Sequence, residues 1–397
     1  MKRIELLAPA GDLERLKIAI IYGADAVYIG GKQLSLRSAA SNFTLEDIKE
    51  GCDFAHEHNA KIYVTCNIVM HNSETNGLIE YLKGLESCGV DGVIASSLVI
   101  LKMIKQYTKM EAHVSTQQSI SNSKGIKFLE SLNIDRVVLA RECSLNNIKT
   151  ICENTNKEIE VFIEGAMCSS FSGRCMLSNV MTGRDANRGG CAQPCRWNYN
   201  LYQSNQKVSL GEYDFSMASA DLSAVQYVPA LIEAGVSSLK IEGRMKSVHY
   251  IATVVNAYRR AFDHLKKCKE TGEQYVCPAE LVDELEKTSH RRYTTGFYFG
   301  AEDKEFLENS QPVQESEFVA VVKEPAKDGR VLIEMRNRFE VGDTLEVLSP
   351  NDSFNKKITI TSITDLDGNP VEVADKVQAQ LYINCDYPLE PLDILRR

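Results

Sequence analysis

Four cysteines that lie close together in the chain have residue types and spacing suited to chemistry. They are Cys168, Cys175, Cys191 and Cys195, with the spacing C-x6-C-x15-C-x3-C, out of 12 cysteines in 397 residues. The clustering indicates a metal-ligand set, because thiolates from one loop can converge on a single centre. The paired CxxC spacing of zinc ribbons is missing, so the pattern suits a 4Fe-4S cluster at least as well as zinc. Four ordinary reduced cysteines are the remaining alternative.

The composition is that of an ordinary globular enzyme. Lys and Arg number 45 and Asp and Glu number 54, which gives a net charge of −9. This charge argues against a uniformly basic nucleic-acid-binding protein but leaves local basic patches open. No apolar run approaches the length of a membrane helix, and the first residues lack a signal-peptide core. We therefore expect a cytoplasmic protein without membrane contact, in which the thiols stay reduced.

The elements that must position these cysteines follow an alternating pattern. Eight short β-branched runs alternate with helical segments, which predicts a TIM barrel. The runs cover residues 4–8, 26–30, 61–68, 92–95, 111–115, 136–140, 160–164 and 238–242. The connection from run seven to run eight is much longer than a simple barrel needs. The sequence therefore predicts a cysteine-rich insertion after strand seven, with the ligand loop over about residues 165–200.

Other residues predict where helices begin and end. Thr44 and Ser73 are predicted to open helices, because acidic residues follow each of them. Gly23, Gly89 and Gly235 stand where helices should end. A long helix is predicted over residues 247–269.

The last part of the chain predicts a second, smaller domain. Alternating runs at residues 318–322, 330–335, 343–348, 356–363 and 379–384 are separated by glycine-containing turns. This pattern is typical of a small antiparallel β-barrel. We place the catalytic barrel at residues 1–308 and the β-domain at 316–397. The β-domain either docks onto RNA or a partner, or stabilises the barrel.

Catalytic side chains of TIM barrels lie at the C-terminal ends of strands, and this rule selects five candidates. Lys240 and Glu242 share one side of run eight by alternation, so a buried pair there would be catalytic or a structural ion pair. Glu164 ends run seven. His113 in run five is a catalytic candidate or a satisfied core residue. Gln117 lies just beyond that run and could orient a polar substrate.

Basic residues near the same predicted face form the substrate-binding candidates. They are Arg141, Arg244, Lys246, Arg174, Arg188 and Arg196. Arginine and lysine in such positions suit phosphates or an anionic small substrate, although some of these cations could belong to a solvated helix face.

Several motifs together resemble peptidase family U32, the collagenase-like family. They are LLAPAG at 6–11, HVSTQ at 113–117, SGRC at 172–175, NRGGCAQPCR at 187–196, KIEGRMK at 240–246 and RYTTGFY at 292–298. The resemblance implies that the four cysteines bind an iron–sulfur cluster and that the protein hydroxylates RNA or ubiquinone precursors without molecular oxygen. A barrel followed by one small β-domain resembles the branch that forms 5-hydroxyuridine at the tRNA wobble position and depends on prephenate as co-substrate.

This resemblance also suggests roles for the candidate residues. Arg141, Lys240 and Arg244 would hold carboxylates of the oxygen donor, and Glu242 or Glu164 would move protons. Many family members have His-Gly where this chain has Glu164-Gly165, so a role of that histidine would pass to Glu164 or change.

Two alternatives to a tRNA hydroxylase stay open at this point. One is a U32 peptidase, although the zinc helix HExxH and the nucleophile elbow GxSxG are both missing from the sequence. The other is a non-catalytic iron–sulfur RNA-binding protein that assists a paralogous subunit. The expected partners are therefore tRNA and, in the second case, a paralogue.

Overall fold

The computed structural model describes residues 4–36, 42–208, 215–300 and 311–397. Eight parallel strands form its centre: β1 Glu5–Pro9, β2 Ala26–Gly30, β3 Lys61–Cys66, β4 Gly92–Ala95, β5 Glu111–Val114, β6 Arg136–Val138, β7 Glu158–Ala166 and β8 Ser238–Ile241. Each strand pairs with the next, and β8 also pairs with β1, which closes the barrel. The predicted TIM barrel is confirmed.

Helices follow the first six strands: α1 Leu13–Ile21, α2 Leu45–Glu57, α3 Leu78–Ser87, α4 Leu98–Tyr107, α5 Ser123–Leu129 and α6 Leu145–Glu153. Thr44 caps α2 through a reciprocal bond pair with Asp47, as predicted. The predicted helix start at Ser73 is wrong: Asn72–Glu74 forms a 3-10 turn, and α3 begins after Gly77. Among the described residues, no helix is both long enough and apolar enough to cross a membrane.

A buried charged layer fills the barrel near the N-terminal ends of the strands. The Arg136 guanidinium donates to the carboxylates of Glu158 at 2.8 Å and Glu160 at 3.2 Å, and it also bonds to Glu5. Lys240 donates to Glu160 at 2.8 Å. Because buried charges require partners, these ion pairs must form together when the barrel closes.

The connection between β7 and β8 is the predicted insertion. Its described part contains helix α7 Leu177–Thr182, three 3-10 turns (Ala186–Arg188, Pro194–Arg196 and Val225–Tyr227), a hairpin (Leu201–Gln203 with Gln206–Val208) and helix α8 Val228–Glu233. The strand Asp221–Ser223 pairs antiparallel with the end of β7 before the chain reaches β8. The cysteine segment is therefore held at the C-terminal end of β7, on the face where TIM-barrel enzymes place their chemistry.

The chain leaves the barrel through α9 Val248–Thr271, α10 Ala279–Glu286 and the short strand Tyr293–Thr294. The second domain has strands β9 Phe318–Val322, β10 Arg330–Met335, β11 Thr344–Leu348, β12 Lys357–Thr359, β13 Ile363–Thr364, β14 Gln380–Asn384 and β15 Ile394–Arg396. They form an antiparallel half-barrel in the order β12-β11-β15-β9-β10-β14-β13, so the predicted antiparallel domain is confirmed. A further short pair joins Phe339–Glu340 to Val373–Ala374.

The half-barrel packs on α1, α9 and α10 of the barrel. Arg396, near the C-terminus, donates to both carboxylate oxygens of Glu284 at 2.6 and 2.7 Å, and both residues are fully buried. The Tyr22 hydroxyl donates to the Leu348 carbonyl at 2.7 Å. Leu348 and Ile394 also belong to the hydrophobic core of the barrel. The described contacts thus join the second domain to the barrel, and both roles expected for it stay predictions.

Candidate active site

The four clustered cysteines follow β7 directly. All four are free thiols: Cys168 and Cys191 are exposed, and Cys175 and Cys195 are half-buried. Among the described residues, no three histidine, cysteine or acidic side chains already surround a metal-ion position. The donor set nevertheless fits a 4Fe-4S cluster chemically, because four accessible thiols occur on one loop, and side-chain rotation must close the set.

Electrostatics show that three of these thiols are neighbours. The pKa of Cys168 is raised, mainly because neighbouring atoms exclude water from the thiol even though the residue keeps exposed surface. The thiols of Cys175 and Cys195 raise this pKa further, whereas the Arg141 guanidinium lowers it. Arg141 is thus placed beside the cysteine loop, where it favours the thiolate form that a metal requires.

The insertion is anchored to the segment that follows β5. Gly173 has φ of +71° and packs on the Gln117 backbone so closely that a Cβ would overlap the Gln117 carbonyl oxygen. Within the loop, the Ser178 hydroxyl donates to the Arg184 carbonyl at 2.8 Å and accepts from the Ala192 amide at 3.0 Å. Gln117 therefore lies directly against the cysteine loop, close to its predicted place.

Two aromatic residues connect the candidates inside the barrel. The Arg141 guanidinium lies 3.8 Å from the ring centroid of Phe162, and the Lys240 ammonium lies 4.3 Å from that of Tyr28. The Tyr28 hydroxyl donates to Glu242 Oε2 at 3.1 Å. Sequence analysis did not single out Tyr28 and Phe162, although both lie within the predicted strands.

The expected pair between Lys240 and Glu242 is wrong. Lys240 forms its ion pair with Glu160 of β7, and both side chains are buried. The register shift in the pairing of β8 with β7 adds a residue to β7 and leaves β8 regular, and Glu242 lies at the Tyr28 hydroxyl instead of at Lys240. Lys240 thus belongs to the charged layer, and a structural ion pair accounts for its position.

Hydroxyl groups after β2 and in β3 hold the Arg244 side chain in place. Its guanidinium donates to the Ser35 hydroxyl at 2.8 Å and the Thr65 hydroxyl at 3.0 Å, and it also bonds to the Leu36 carbonyl. A Cβ at Gly30 would overlap this guanidinium, which explains the glycine there. A buried guanidinium fixed in this way is preorganised to bind a planar anionic group such as a carboxylate.

Glu164, the second residue predicted as an alternative for proton transfer, is buried against α9. Its carboxyl group is 2.9 Å from the Tyr258 hydroxyl of α9, with Ser223 close by. Burial is the main cause that raises the pKa of Glu164 to about 8, and the Asp221 charge adds to the rise. The side chain follows the register shift between β7 and β8, which explains why alternation did not predict its direction.

His113 lies deep in the charged layer. Its Nε2 is 3.0 Å from Glu111 Oε2, and its ring packs edge-on against Tyr63 with centroids 4.6 Å apart. The residue is fully buried. These contacts match the core alternative and place His113 away from the cysteine loop, so a catalytic role is not supported by its position.

The other four predicted cations have partners within the described residues. Arg188 pairs with Glu74, Lys246 donates to the Ser289 carbonyl, Arg174 to the Ser119 hydroxyl and Arg196 to Gln193 Oε1. Three of these four lie in the insertion, and their substrate-binding roles stay predictions.

Comparison with known proteins identifies the family of this chain. The profile described as "Peptidase family U32" matches residues 11–308, and the profile described as "Peptidase family U32 C-terminal domain" matches residues 314–396. The chain belongs to peptidase family U32. The resemblance noted from the motifs is thereby confirmed, and the U32 match includes every candidate residue named above.

U32 relatives carry different names. The chain is 44% identical to "tRNA hydroxylation protein P1" of Bacillus subtilis, across 100% of this chain and 95% of that protein. It is 40% identical to the Escherichia coli "23S rRNA 5-hydroxycytidine C2501 synthase", across 74% of this chain and 45% of that protein. It is 31% identical to a "Collagenase" of Porphyromonas gingivalis, across 75% and 73%. Among these three U32 relatives, the first therefore matches this chain over both domains.

Proposed function

We propose that this U32 protein is an RNA hydroxylase and, more specifically, that it forms 5-hydroxyuridine at the tRNA wobble position. Prephenate would donate the oxygen atom, and a 4Fe-4S cluster would be bound. The observation that carries the proposal is the similarity to a tRNA hydroxylation protein over the full length of both domains. The cysteine insertion at the C-terminal end of β7 adds support. We propose a cytoplasmic location, where tRNA is found.

The chain provides the groups that such a reaction needs. Cys168, Cys175, Cys191 and Cys195 would hold the cluster, which when bound supplies a Lewis-acid or electron-transfer centre. Arg141 beside Cys168, and Arg244 fixed by the Ser35 and Thr65 hydroxyls, would bind carboxylates of the oxygen donor. Both guanidiniums are oriented before the donor arrives, so binding loses little side-chain entropy.

Proton transfer falls to the carboxylate inside the barrel. Glu242 Oε2 accepts a hydrogen bond from the Tyr28 hydroxyl. As the C–O bond of the donor breaks and its oxygen bonds to C5 of uridine, the donor gains the two electrons that uridine loses, and Glu242 would carry the proton from C5 to the donor carbon. Lys240, 4.3 Å from the Tyr28 ring centroid, is a positioning residue that fixes this ring. Glu164 keeps its proton at neutral pH because its pKa is about 8, so it is not the base.

The first test is anaerobic purification with iron and sulfide analysis and a visible absorption spectrum. We expect the wild-type protein to carry iron and sulfide and to absorb in the visible range, and a Cys191→Ala, Cys195→Ala variant to lose both. Cys152→Ala, at a half-buried cysteine of α6, is the matched control and should keep them. A colourless wild-type preparation that holds zinc would contradict the cluster.

The second test incubates the anaerobic protein with unmodified tRNA and prephenate, followed by nucleoside mass spectrometry. We expect 5-hydroxyuridine only when the cluster and prephenate are both present, and a raised KM for prephenate in Arg141→Gln. Binding of tRNA without modification until a paralogous subunit is added would support the non-catalytic alternative. Collagen cleavage that survives loss of the cysteines would support a peptidase.

A further inference from the structure

The cysteine insertion exposes an unusual amount of apolar side chain. Phe171, Met176, Val180, Met181 and Trp197 are 70, 61, 77, 41 and 44% exposed, and we call these five residues the insertion surface. Exposed apolar side chains that occur together mark binding sites more often than they serve the fold of a monomer. The surface borders the cysteines, so whatever binds it lies next to the candidate active site.

Contacts within the insertion hold part of the insertion surface together. Val180 and Met181 belong to α7, and the Tyr199 hydroxyl lies 3.5 Å from the Met181 sulfur. The same hydroxyl donates to the Pro194 carbonyl at 2.6 Å, and the Trp197 amide donates to that carbonyl at 3.1 Å. Tyr199 thus connects α7 to the turn that carries Trp197.

Positive charge surrounds the insertion surface although the chain as a whole is acidic. Residues 172–197 contain four arginines and Asp185 as the acidic residue, against a net charge of −9 for the chain. Glu74 neutralises Arg188. Arg174, whose amide closes a turn on the Phe171 carbonyl at 3.0 Å, and Arg184 are both exposed. Aromatic side chains flanked by arginine bind unpaired nucleotides, since bases stack on the rings and phosphates pair with the guanidiniums.

We propose that the insertion surface is a stacking platform for unpaired nucleotides that flank the target base of the RNA substrate. This inference rests on the proposed function and adds the residues that recognise the substrate. Base faces are available for stacking only where RNA is single-stranded, so Phe171 and Trp197 would select a loop over a duplex. The exposed guanidiniums of Arg174 and Arg184 beside these side chains favour RNA, because every nucleotide brings a phosphate that such a cation can bind.

The test measures the affinity of the cluster-loaded protein for a fluorescent tRNA anticodon stem-loop by anisotropy. We expect Trp197→Ala and Phe171→Ala each to raise Kd about tenfold, the range of one lost base–aromatic stack. Phe128→Ala is the matched control, because Phe128 is 74% exposed on α5 and lies outside the insertion. A fully paired RNA duplex should bind weakly, with the same Kd for all three variants. An unchanged visible spectrum shows that each variant keeps its cluster.

The outcomes separate this inference from the proposed function. Variants that bind the stem-loop as tightly as wild type, while tRNA hydroxylation continues, would overturn the platform and leave the proposed function standing. A wild-type protein that neither binds nor hydroxylates tRNA would remove both. A third outcome would also overturn the platform. If Trp197→Ala kept its RNA affinity but no longer associated with a second copy or a paralogue in sedimentation, the insertion surface would be a protein interface.

Discussion

Replacement of Glu164 by glutamine should remove a pH dependence that burial builds into the fold. Glu164 is 1% exposed, and burial raises its pKa to about 8. The Tyr258 hydroxyl has one hydrogen and lies 2.8 Å from the Ile163 carbonyl and 2.9 Å from Glu164 Oε2, and it accepts the Ala224 amide at 3.1 Å. A protonated Glu164 donates to Tyr258, which then donates to Ile163, so the single hydrogen of the Tyr258 hydroxyl serves one acceptor. Glu164 Oε1 is buried without a hydrogen-bond partner among the described residues, which disfavours a negative charge on this carboxyl group.

The size of the effect follows from the difference in pKa between the folded and unfolded chains. An unfolded glutamate loses its proton near pH 4.5, whereas the folded protein keeps the proton of Glu164 up to about pH 8. Between these values the native state binds more protons than the unfolded state, so the free energy of unfolding falls as pH rises. At about 1.4 kcal/mol per pKa unit, the loss reaches about 5 kcal/mol at most. The stability is complete below pH 4.5 and is lost by pH 8.

The assay is urea unfolding of wild type and Glu164→Gln at several values between about pH 5 and pH 9. Because the amide does not titrate, we expect the variant to gain stability over wild type steadily up to about pH 8 and to keep a constant advantage above it. Glu153→Gln, at an exposed position on α6, should follow wild type throughout. Parallel curves for wild type and Glu164→Gln would refute the argument that the folded protein holds a neutral carboxyl group.

Three further predictions concern the insertion, the domain interface and the charge of the proposed RNA site. Gly173→Ala should lower iron content and thermal stability, because a Cβ would overlap the Gln117 carbonyl, whereas Gly183→Ala, with φ of +68° and open space around it, should cost only about 1 kcal/mol; equal losses would contradict this packing. Arg396→Met should lower the free energy of unfolding by about 3 kcal/mol, because the buried Glu284 carboxylate loses its bidentate partner and keeps Lys287, 3.1 Å from Oε2; a loss below 1 kcal/mol in urea unfolding would show that Lys287 alone compensates this charge. Affinity for single-stranded RNA should fall with a log–log salt slope of roughly −0.7 for each phosphate contact, and a slope near zero would exclude the arginines from binding.

Local sequence patterns predicted most of the barrel because a TIM barrel repeats one local rule. Each strand is a short β-branched run and each helix has its own boundary signals, such as the capping box of Thr44 with Asp47. The prediction at Ser73 was wrong because this serine lies inside a 3-10 turn, and α3 begins only after Gly77, which has φ of +75°. The strand β15, which lies in the middle of the half-barrel sheet, was missed because three residues are too few to show alternation.

Partners in the candidate site were less predictable. Lys240 pairs with Glu160 and not with Glu242, because Glu160 of the neighbouring strand β7 comes within 2.8 Å of its ammonium, and spacing within one strand does not show such a pairing between strands. Tyr28 and Phe162, which hold the cations Lys240 and Arg141, carry no chemical signal in the sequence beyond their place in strands. The role of Glu164 stays a prediction, and its contact with Tyr258 depends on α9, which lies far along the chain.

The sequence by itself determined the barrel, the position of the insertion and the cluster of four cysteines within it. These features depend on spacing and composition within short stretches of the chain, so they can be predicted without the tertiary structure. The tertiary structure alone decided that Arg141 lies beside Cys168, that Arg244 is fixed over Gly30, and that Glu164 is buried against Tyr258. Such contacts join residues tens to hundreds of positions apart, and only closure of the barrel brings them within reach and removes the water that would otherwise set their charge.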